Sequence, residues 1–509
     1  MERMSATDAG FFHAEGGNTP MHVGSVCVFE GPAPSYGDVV RLLLGKLPQV
    51  PRYRQRVRTV PFELGRPLWV DDEHFQILYH VRHTAVPRPG GAEQLRNLAG
   101  RVLGQRLDMT KPLWEIWLVE GLEGGRWALI SKVHHAMVDG IAGTDLMQLI
   151  FDFDPDAGHP DAQPWTPQPE PSTAEVLAAG LSDALARPAL HLQHLVEEAD
   201  AVGVRQVPWL LLQRTAMLAA TLPRMARQVA RPVARSLNGP IGPHRRWVWA
   251  ETTIDEIKRV RRGLGGTVND VVLTAITRGF RDLLESRGEL TDGLIVRTMV
   301  PVSVRRPDER RSLDNQVSAV FVDLPVGEPD AAARLASIRR QMDEYKQVLN
   351  AVPARGLVAM GDFLAPTLLA LGTRTAARTI QPFTQAVTTN VPGPRMPLYV
   401  LGRRMRSLYA YVPIATGLRV SIGIFSYSGA MTFGINADFD AFPDVQVLAD
   451  GIHEGMAELL EAADPGGEAS DATRTAQAAA GDEQRSARTT RSRRTTPNRS
   501  SARTSRTRP

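Results

Sequence analysis

The stretch Ser131-Lys132-Val133-His134-His135-Ala136-Met137-Val138-Asp139-Gly140 sets two adjacent histidines at the end of an apolar run, four residues before an Asp-Gly turn. The run ahead of it, Trp127 to Val133, is short, apolar and β-rich and follows the turn signal Glu123-Gly124-Gly125, so it reads as a buried strand. Neighbouring side chains on a strand point to opposite faces. If His134 and His135 keep that alternation, one ring faces a cleft and the other packs back into the fold. That arrangement does not suit joint binding of one metal ion, for which helical i, i+4 spacing is the usual pairing. The chain has no His-Glu-x-x-His and a single cysteine, so no metal is expected. The chemistry left for the pair is an imidazole acting as general base on a hydroxyl, which an unperturbed pKa of about 6.5 suits near neutral pH. Asp139 would orient that ring or its loop, and Gly140 would permit the tight bend into the amphipathic run Ile141 to Phe153. A histidine pair at a strand end can equally be structural, and the wider pattern decides between the two.

HHxxxDG, here His134 to Gly140, is the signature of the coenzyme A-dependent acyltransferase superfamily, which includes chloramphenicol acetyltransferase-like enzymes and the condensation domains of peptide synthetases. Other blocks narrow the resemblance. Asp8 to Phe12 and Thr19-Pro20-Met21-His22-Val23-Gly24 look like the opening of the bacterial wax ester synthase/diacylglycerol acyltransferase family, although the usual Pro-Leu-Asp is missing. Lys111-Pro112-Leu113-Trp114-Glu115 is similar to that family's PLW motif and Val268-Asn269-Asp270 to its ND motif. Met299 to Arg305 and Thr389-Asn390-Val391-Pro392-Gly393-Pro394 resemble two further blocks, so the likeness spans about residues 1 to 463.

The resemblance implies an α/β fold of two chloramphenicol acetyltransferase-like domains, with the active site at their interface. It implies transfer of a long-chain acyl group from acyl-coenzyme A to diacylglycerol, giving triacylglycerol, with wax ester formation from long-chain alcohols beside it. It assigns the base to His135, acting through Nε2, with His134 in support and Asp139 bracing the loop through a salt bridge. No acyl-enzyme is then required, and the chain contains no G-x-S-x-G elbow. Asn269 would donate to an oxyanion or orient His135, whereas Thr267-x-x-Asp270 reads as a capping box. Pro112, Leu113 and Trp114 would shape an acyl channel, or simply pack; the same two readings apply to Phe363 to Leu371. No cofactor is expected, because neither a Rossmann fingerprint nor a P-loop occurs and coenzyme A enters as substrate. The competing readings are a condensation-type acyltransferase with another acceptor and a non-catalytic coat protein of lipid inclusions.

With 509 residues, 43% hydrophobic and 22% charged, the chain can bury a large core in two or three domains. Cys27 is the only cysteine, so no intramolecular disulfide can form and a reducing, cytoplasmic compartment is expected. The N-terminus lacks an export signal and no run of 18 apolar residues supplies a membrane span. Net charge is formally +4, but residues 465 to 509 hold ten Arg against four acids, which leaves −2 for the rest.

Four regions follow. Residues 1–165 read as a mixed α/β domain, with strands near Val23 to Phe29, Ile116 to Glu120 and Trp127 to Val133 and helices near Tyr36 to Leu47 and Ala92 to Leu103. Residues 166–245 form a linker and helical connector. Within it, Pro208 to Ser236 interleaves leucines with five arginines and suits an anionic membrane or lipid-droplet surface as well as packing between domains. Residues 246–463 read as a second α/β domain: helices at Ile254 to Arg262, Val268 to Leu284 and Asp330 to Leu349, and strands at Leu294 to Val304, Gln316 to Leu324, Gln385 to Thr389, Leu418 to Ser426 and Ala430 to Ala437. Residues 464–509, rich in Arg, Ser and Thr, bury too little surface to fold and are expected to be disordered. Such a tail suits anionic lipid head groups or nonspecific contact with nucleic acid, and equally a solubilising extension with no partner; no specific nucleic acid is expected.

Overall fold

Short apolar runs rich in β-branched and aromatic residues become the central strands of two mixed sheets, in a computed structural model that describes residues 2–138, 149–180, 182, 233–303, 317–351 and 384–464. The first part of the chain forms β1 (Glu2–Arg3), α1 (Ala6–Ala14), β2 (His22–Phe29), α2 (Tyr36–Lys46), β3 (Gln55–Arg58), β4 (Leu68–Asp71), α3 (Ile77–His80), β5 (Val81–Ala85), α4 (Ala92–Gly104), β6 (Trp114–Glu120) and β7 (Trp127–His134). The second part forms β8 (Arg245–Thr253), α5 (Ile254–Leu264), α6 (Val268–Ser286), β9 (Val296–Ser303), β10 (Val317–Leu324), α7 (Ala331–Ala351), β11 (Ala386–Val391), β12 (Tyr399–Val400), β13 (Arg403–Tyr411), β14 (Val420–Tyr427), β15 (Ala430–Asp438) and α8 (Val445–Ala463).

One six-stranded sheet runs β12-β13-β2-β7-β6-β5 and the other β10-β9-β11-β14-β15-β8, with a small sheet β1-β4-β3 beside the first. In the first large sheet every pairing is antiparallel except β5 on β6. In the second, β11 lies parallel to both β9 and β14. Ser428 and Gly429, both at positive φ, make the hairpin turn between β14 and β15. The expected helices and strands are present with ends shifted by a few residues. β1, β3, β4, β5, β8, β12, β13, α1, α3 and α8 lie outside the expected set, although α8 carries the helical spacing Leu448, Ile452, Met456 and Leu459 along its buried face.

Sheet membership does not follow the boundaries at 165 and 246. β12 and β13 come from the 246–463 segment yet complete the first sheet, β13 pairing with β2 from Met405↔Phe29 to Tyr411↔Gly24. Polar side chains of the second sheet then bind carbonyls of β13 and of Val412 just past its end: Thr432 Oγ1 donates to Leu408 O (2.7 Å), Trp247 Nε1 to Ala410 O (3.2 Å), and Ser421 Oγ and Asn436 Nδ2 to Val412 O (2.8 Å each). The approach is close enough that a Cβ on Gly434 would lie 1.8 Å from Ala410 O.

Behind the second sheet, α6 and α8 pack through Phe280, Leu283, Leu448, Ile452 and Leu459, all fully buried. The capping box of α6 forms as expected, with Asp270 N donating to Thr267 Oγ1 (3.3 Å) and Thr267 N to Asp270 Oδ2 (2.7 Å). Among the described residues no helix is long and apolar enough to cross a membrane. Residues 208–232, Phe363 to Leu371 and 465–509 lie outside the described set.

The seam predicts that Gly434→Ala forces β13 away from β15. The expected loss is about 1–3 kcal/mol of stability, read from urea unfolding; an unchanged midpoint would contradict this contact.

Candidate active site

β2 and β7 pair in antiparallel register as far as His22↔His134, and the chain then leaves the sheet in a tight turn over His135–Met137. Strand geometry therefore aims His134, and the turn aims His135. His134 is fully buried. Its Nδ1 accepts from Ala136 N (3.0 Å), which places the ring proton on Nε2, and Nε2 donates to Glu15 Oε2 at 3.1 Å. Its own N–H donates to Leu113 O (2.9 Å).

His135 turns the other way. Its ring stacks on Phe11 of α1 with centroids 3.7 Å apart and planes 19° from parallel. Nδ1 is buried and makes no hydrogen bond among the described residues. Burial pushes the pKa down to about 4, with the neighbouring His134 adding to the fall, so the ring is neutral near pH 7.

α1 is set by Ser5, whose Oγ caps Asp8 N (3.1 Å). Its C-cap residue is Glu15, whose carboxylate also accepts from Met21 N (3.0 Å) and from Arg106 Nε (3.1 Å) and Nη2 (2.9 Å). Despite burial, which alone would raise it, the hydrogen bonds from His134, Met21 and Arg106 hold the Glu15 pKa at about 2. Beneath the pair, His22 Nε2 donates to Leu103 O (2.6 Å), and burial lowers its pKa to about 3. Lys132 Nζ is paired with Glu115 Oε2 (3.1 Å), and Glu115 Oε1 with Arg82 Nη2 (3.1 Å).

Leu113 and Trp114 are fully buried in the first core, where Trp114 Nε1 donates to Tyr53 O (2.8 Å) and the ring stacks on His80 (4.6 Å). Pro112 is buried as well. Leu113 O accepts from His134 N, so the PLW block lies directly against the end of β7. Cys27 is buried and its thiol is pushed up to about 12, as suits a small core residue. Asn269 sits half-buried in the first turn of α6, and among the described residues no hydrogen bond or ring contact joins it to His135. Asp139 lies outside the described residues. A cavity of about 250 Å³ opens beside the turn, lined by Arg3, Arg52, Arg66, Trp69, Ala136 and Met137 among others. Glu15 and Arg106 were not legible as site residues, being isolated in sequence with no periodic or motif signal; Phe11 and His22 lay within the two N-terminal blocks, which gave no sign of their contacts.

Two mixed sheets that exchange strands, with a histidine pair at the end of one, define the condensation and acyltransferase class of fold. Solved structures agree at the level of fold. The starter condensation domain of rhizomide synthetase RzmA superposes with TM-score 0.51 at 11% identity, and the TRI3 trichothecene 15-O-acetyltransferase of Fusarium sporotrichioides with 0.57 at 14%; each match covers 91% of this chain and 94% of the other.

The chain belongs to the wax ester synthase/diacylglycerol acyltransferase family: residues 4–272 match its catalytic domain and residues 313–460 its C-terminal domain. The wax ester synthase/diacylglycerol acyltransferase of Marinobacter aquaeolei VT8 superposes with TM-score 0.64 at 25% identity, covering 91% of this chain and all of that one. A Mycobacterium tuberculosis protein, "Probable diacyglycerol O-acyltransferase tgs1", is 35% identical over 474 residues, 90% of this chain and 96% of the relative.

His22, His80 and His135 are held neutral, with pKa values lowered to about 3, 4 and 4 by burial. The unfolded chain titrates them near 6.5, so it binds protons that the folded chain refuses. Stability is therefore full above about pH 6.5 and falls as pH drops through that value. His22→Gln should shrink the loss between pH 7.5 and 5.5 by about 1 kcal/mol, measured by urea unfolding at both pH values; an unchanged difference would mean that His22 titrates normally.

Proposed function

We propose that this protein transfers a long-chain acyl group from acyl-coenzyme A to the free hydroxyl of diacylglycerol, forming triacylglycerol, with His135 as general base. The observation that carries this reading is the His135 ring, set by the turn after β7 and stacked on Phe11, in a chain of this family. The acceptor O–H gives its proton to Nε2 while its oxygen attacks the thioester carbonyl. The tetrahedral oxyanion then collapses, the C–S bond breaks, and the imidazolium returns the proton to the departing thiolate, so the products are ester and free coenzyme A. A base lowered to about 4 gains strength as the oxyanion forms beside it, because the negative charge stabilises the imidazolium.

Diacylglycerol as acceptor is supported by the names of the mycobacterial relatives, and a long-chain alcohol by the name of the Marinobacter protein. Asn269 is the proposed donor to the oxyanion, supported by its half-buried place at the positive end of α6. Asp139 is proposed to brace the turn and His134 to support it. Peripheral contact with the inner membrane face or lipid inclusions through 208–236 and the Arg-rich tail is supported by their charge and leucine pattern.

Purified protein supplied with long-chain acyl-coenzyme A and either diacylglycerol or a long-chain alcohol tests the reading. Product should form and fall by roughly 10²–10⁴ in His135→Ala; a variant as active as the parent would remove His135 from the chemistry. Because neutral His135 is the competent form and its pKa is lowered to about 4, kcat/KM should stay level from pH 7.5 to about 5 in protein shown to be folded. A fall centred near 6.5 would mean that the base is not depressed.

Asn269→Ala should lower kcat by roughly 10²-fold if its amide holds the oxyanion. Unchanged turnover would assign that role elsewhere.

A further inference from the structure

We propose that Glu15 is the positioning residue of the histidine pair, its carboxylate gripping both the His134 ring and the Met21 main chain from which the His135 turn is hung. This rests on the reading of His135 as the base. One oxygen of Glu15 does two tasks: Oε2 accepts from His134 Nε2 (3.1 Å) and from Met21 N (3.0 Å). Met21 O in turn accepts from His135 N (2.8 Å), so the carboxylate is one residue removed from the main chain of the base. The other oxygen, Oε1, is occupied by the Arg106 fork, which leaves the group no reason to rotate away. The Glu15 side chain is only 1% exposed, so water does not compete for these bonds.

Glu15 also ends α1, the helix that carries Phe11 onto the His135 ring. Main chain and ring of the base are therefore held from a single point in the sequence. Glu15 does not relay a proton. His134 Nδ1 is filled by Ala136 N, so no hydrogen-bonded path leads from the carboxylate through His134 to the His135 ring. Its action is geometric, through the register of a turn.

The test compares Glu15→Ala with Glu15→Gln in the full chain. Glutamine keeps an oxygen that can accept from His134 and Met21, while alanine keeps none. Displacing the base should cost Glu15→Ala roughly 10²-fold in kcat, with KM for acyl-coenzyme A within about twofold; Glu15→Gln should stay within about tenfold of the parent. Nitrogen-15 imidazole NMR supplies a readout independent of turnover: His134 should show the Nε2–H tautomer in the parent and in Glu15→Gln, and lose it in Glu15→Ala. A folded Glu15→Ala protein with kcat within about threefold of the parent, or a parent His134 in the Nδ1–H tautomer, would overturn the proposal. If the alanine variant does not fold, the glutamine variant decides, and a loss as deep as that of His135→Ala with His134 unchanged would overturn it. Full activity in His135→Ala would instead defeat the assignment of the base, and the His134 tautomer would still judge Glu15.

Discussion

The antiparallel register of β2 on β7 ends on the pair His22↔His134, and the site hangs from that last rung. A slip by one residue would exchange the two faces of the strand, placing the His134 ring in the apolar core and Val133 against Glu15. The register is fixed because Val133 and Leu129 fill the core of the first sheet on one side, while Lys132 and His134 meet polar partners on the other. Only after that rung does the chain turn, so His135 leaves the sheet with its ring free to lie on Phe11.

The polar face of this strand is a set of buried groups, each held by specific partners. Lys132 is pulled down by burial and pushed back up by Glu115, which also binds Arg82 and Trp117 Nε1. Glu15 is met by His134, Met21 and Arg106. Such buried pairs contribute little net stability, since desolvation offsets much of their attraction, but losing one partner strands a charge and is costly. Their value here is orientation: each leaves one low-energy arrangement of the β7 end and its turn. A second buried pair, Arg297 with Asp323 at 2.6 Å, ties β9 to β10 in the other sheet in the same manner.

Strand exchange joins the halves. β13 hydrogen-bonds along β2 while its carbonyls at Leu408 and Ala410, and that of Val412 just beyond it, receive side chains from the second sheet. His22 lies under Tyr411 of β13, with rings 5.7 Å apart, so the floor of the histidine site and the seam between sheets are one packed unit.

The strands at 22–29, 114–120 and 127–134 and the helices at 36–46, 92–104 and 268–286 were legible in the sequence because burial on one face leaves a period that local order records. The HHxxxDG block and its companion motifs likewise identified the family, since they are contiguous. What the sequence could not supply were Glu15, Arg106, the stacking of Phe11 on His135 and the passage of β13 into the first sheet. These depend on contacts between residues up to several hundred positions apart, which no local pattern encodes. The PLW block shows the limit from the other side: its spacing was legible as a motif, and only the fold shows that it is buried against the end of β7. The sequence by itself determined the family, the main strands and helices and the identity of the histidine pair. Tertiary structure alone decided which ring is pinned and which is free, because that depends on where β7 ends against β2 and on what α1 places beside it.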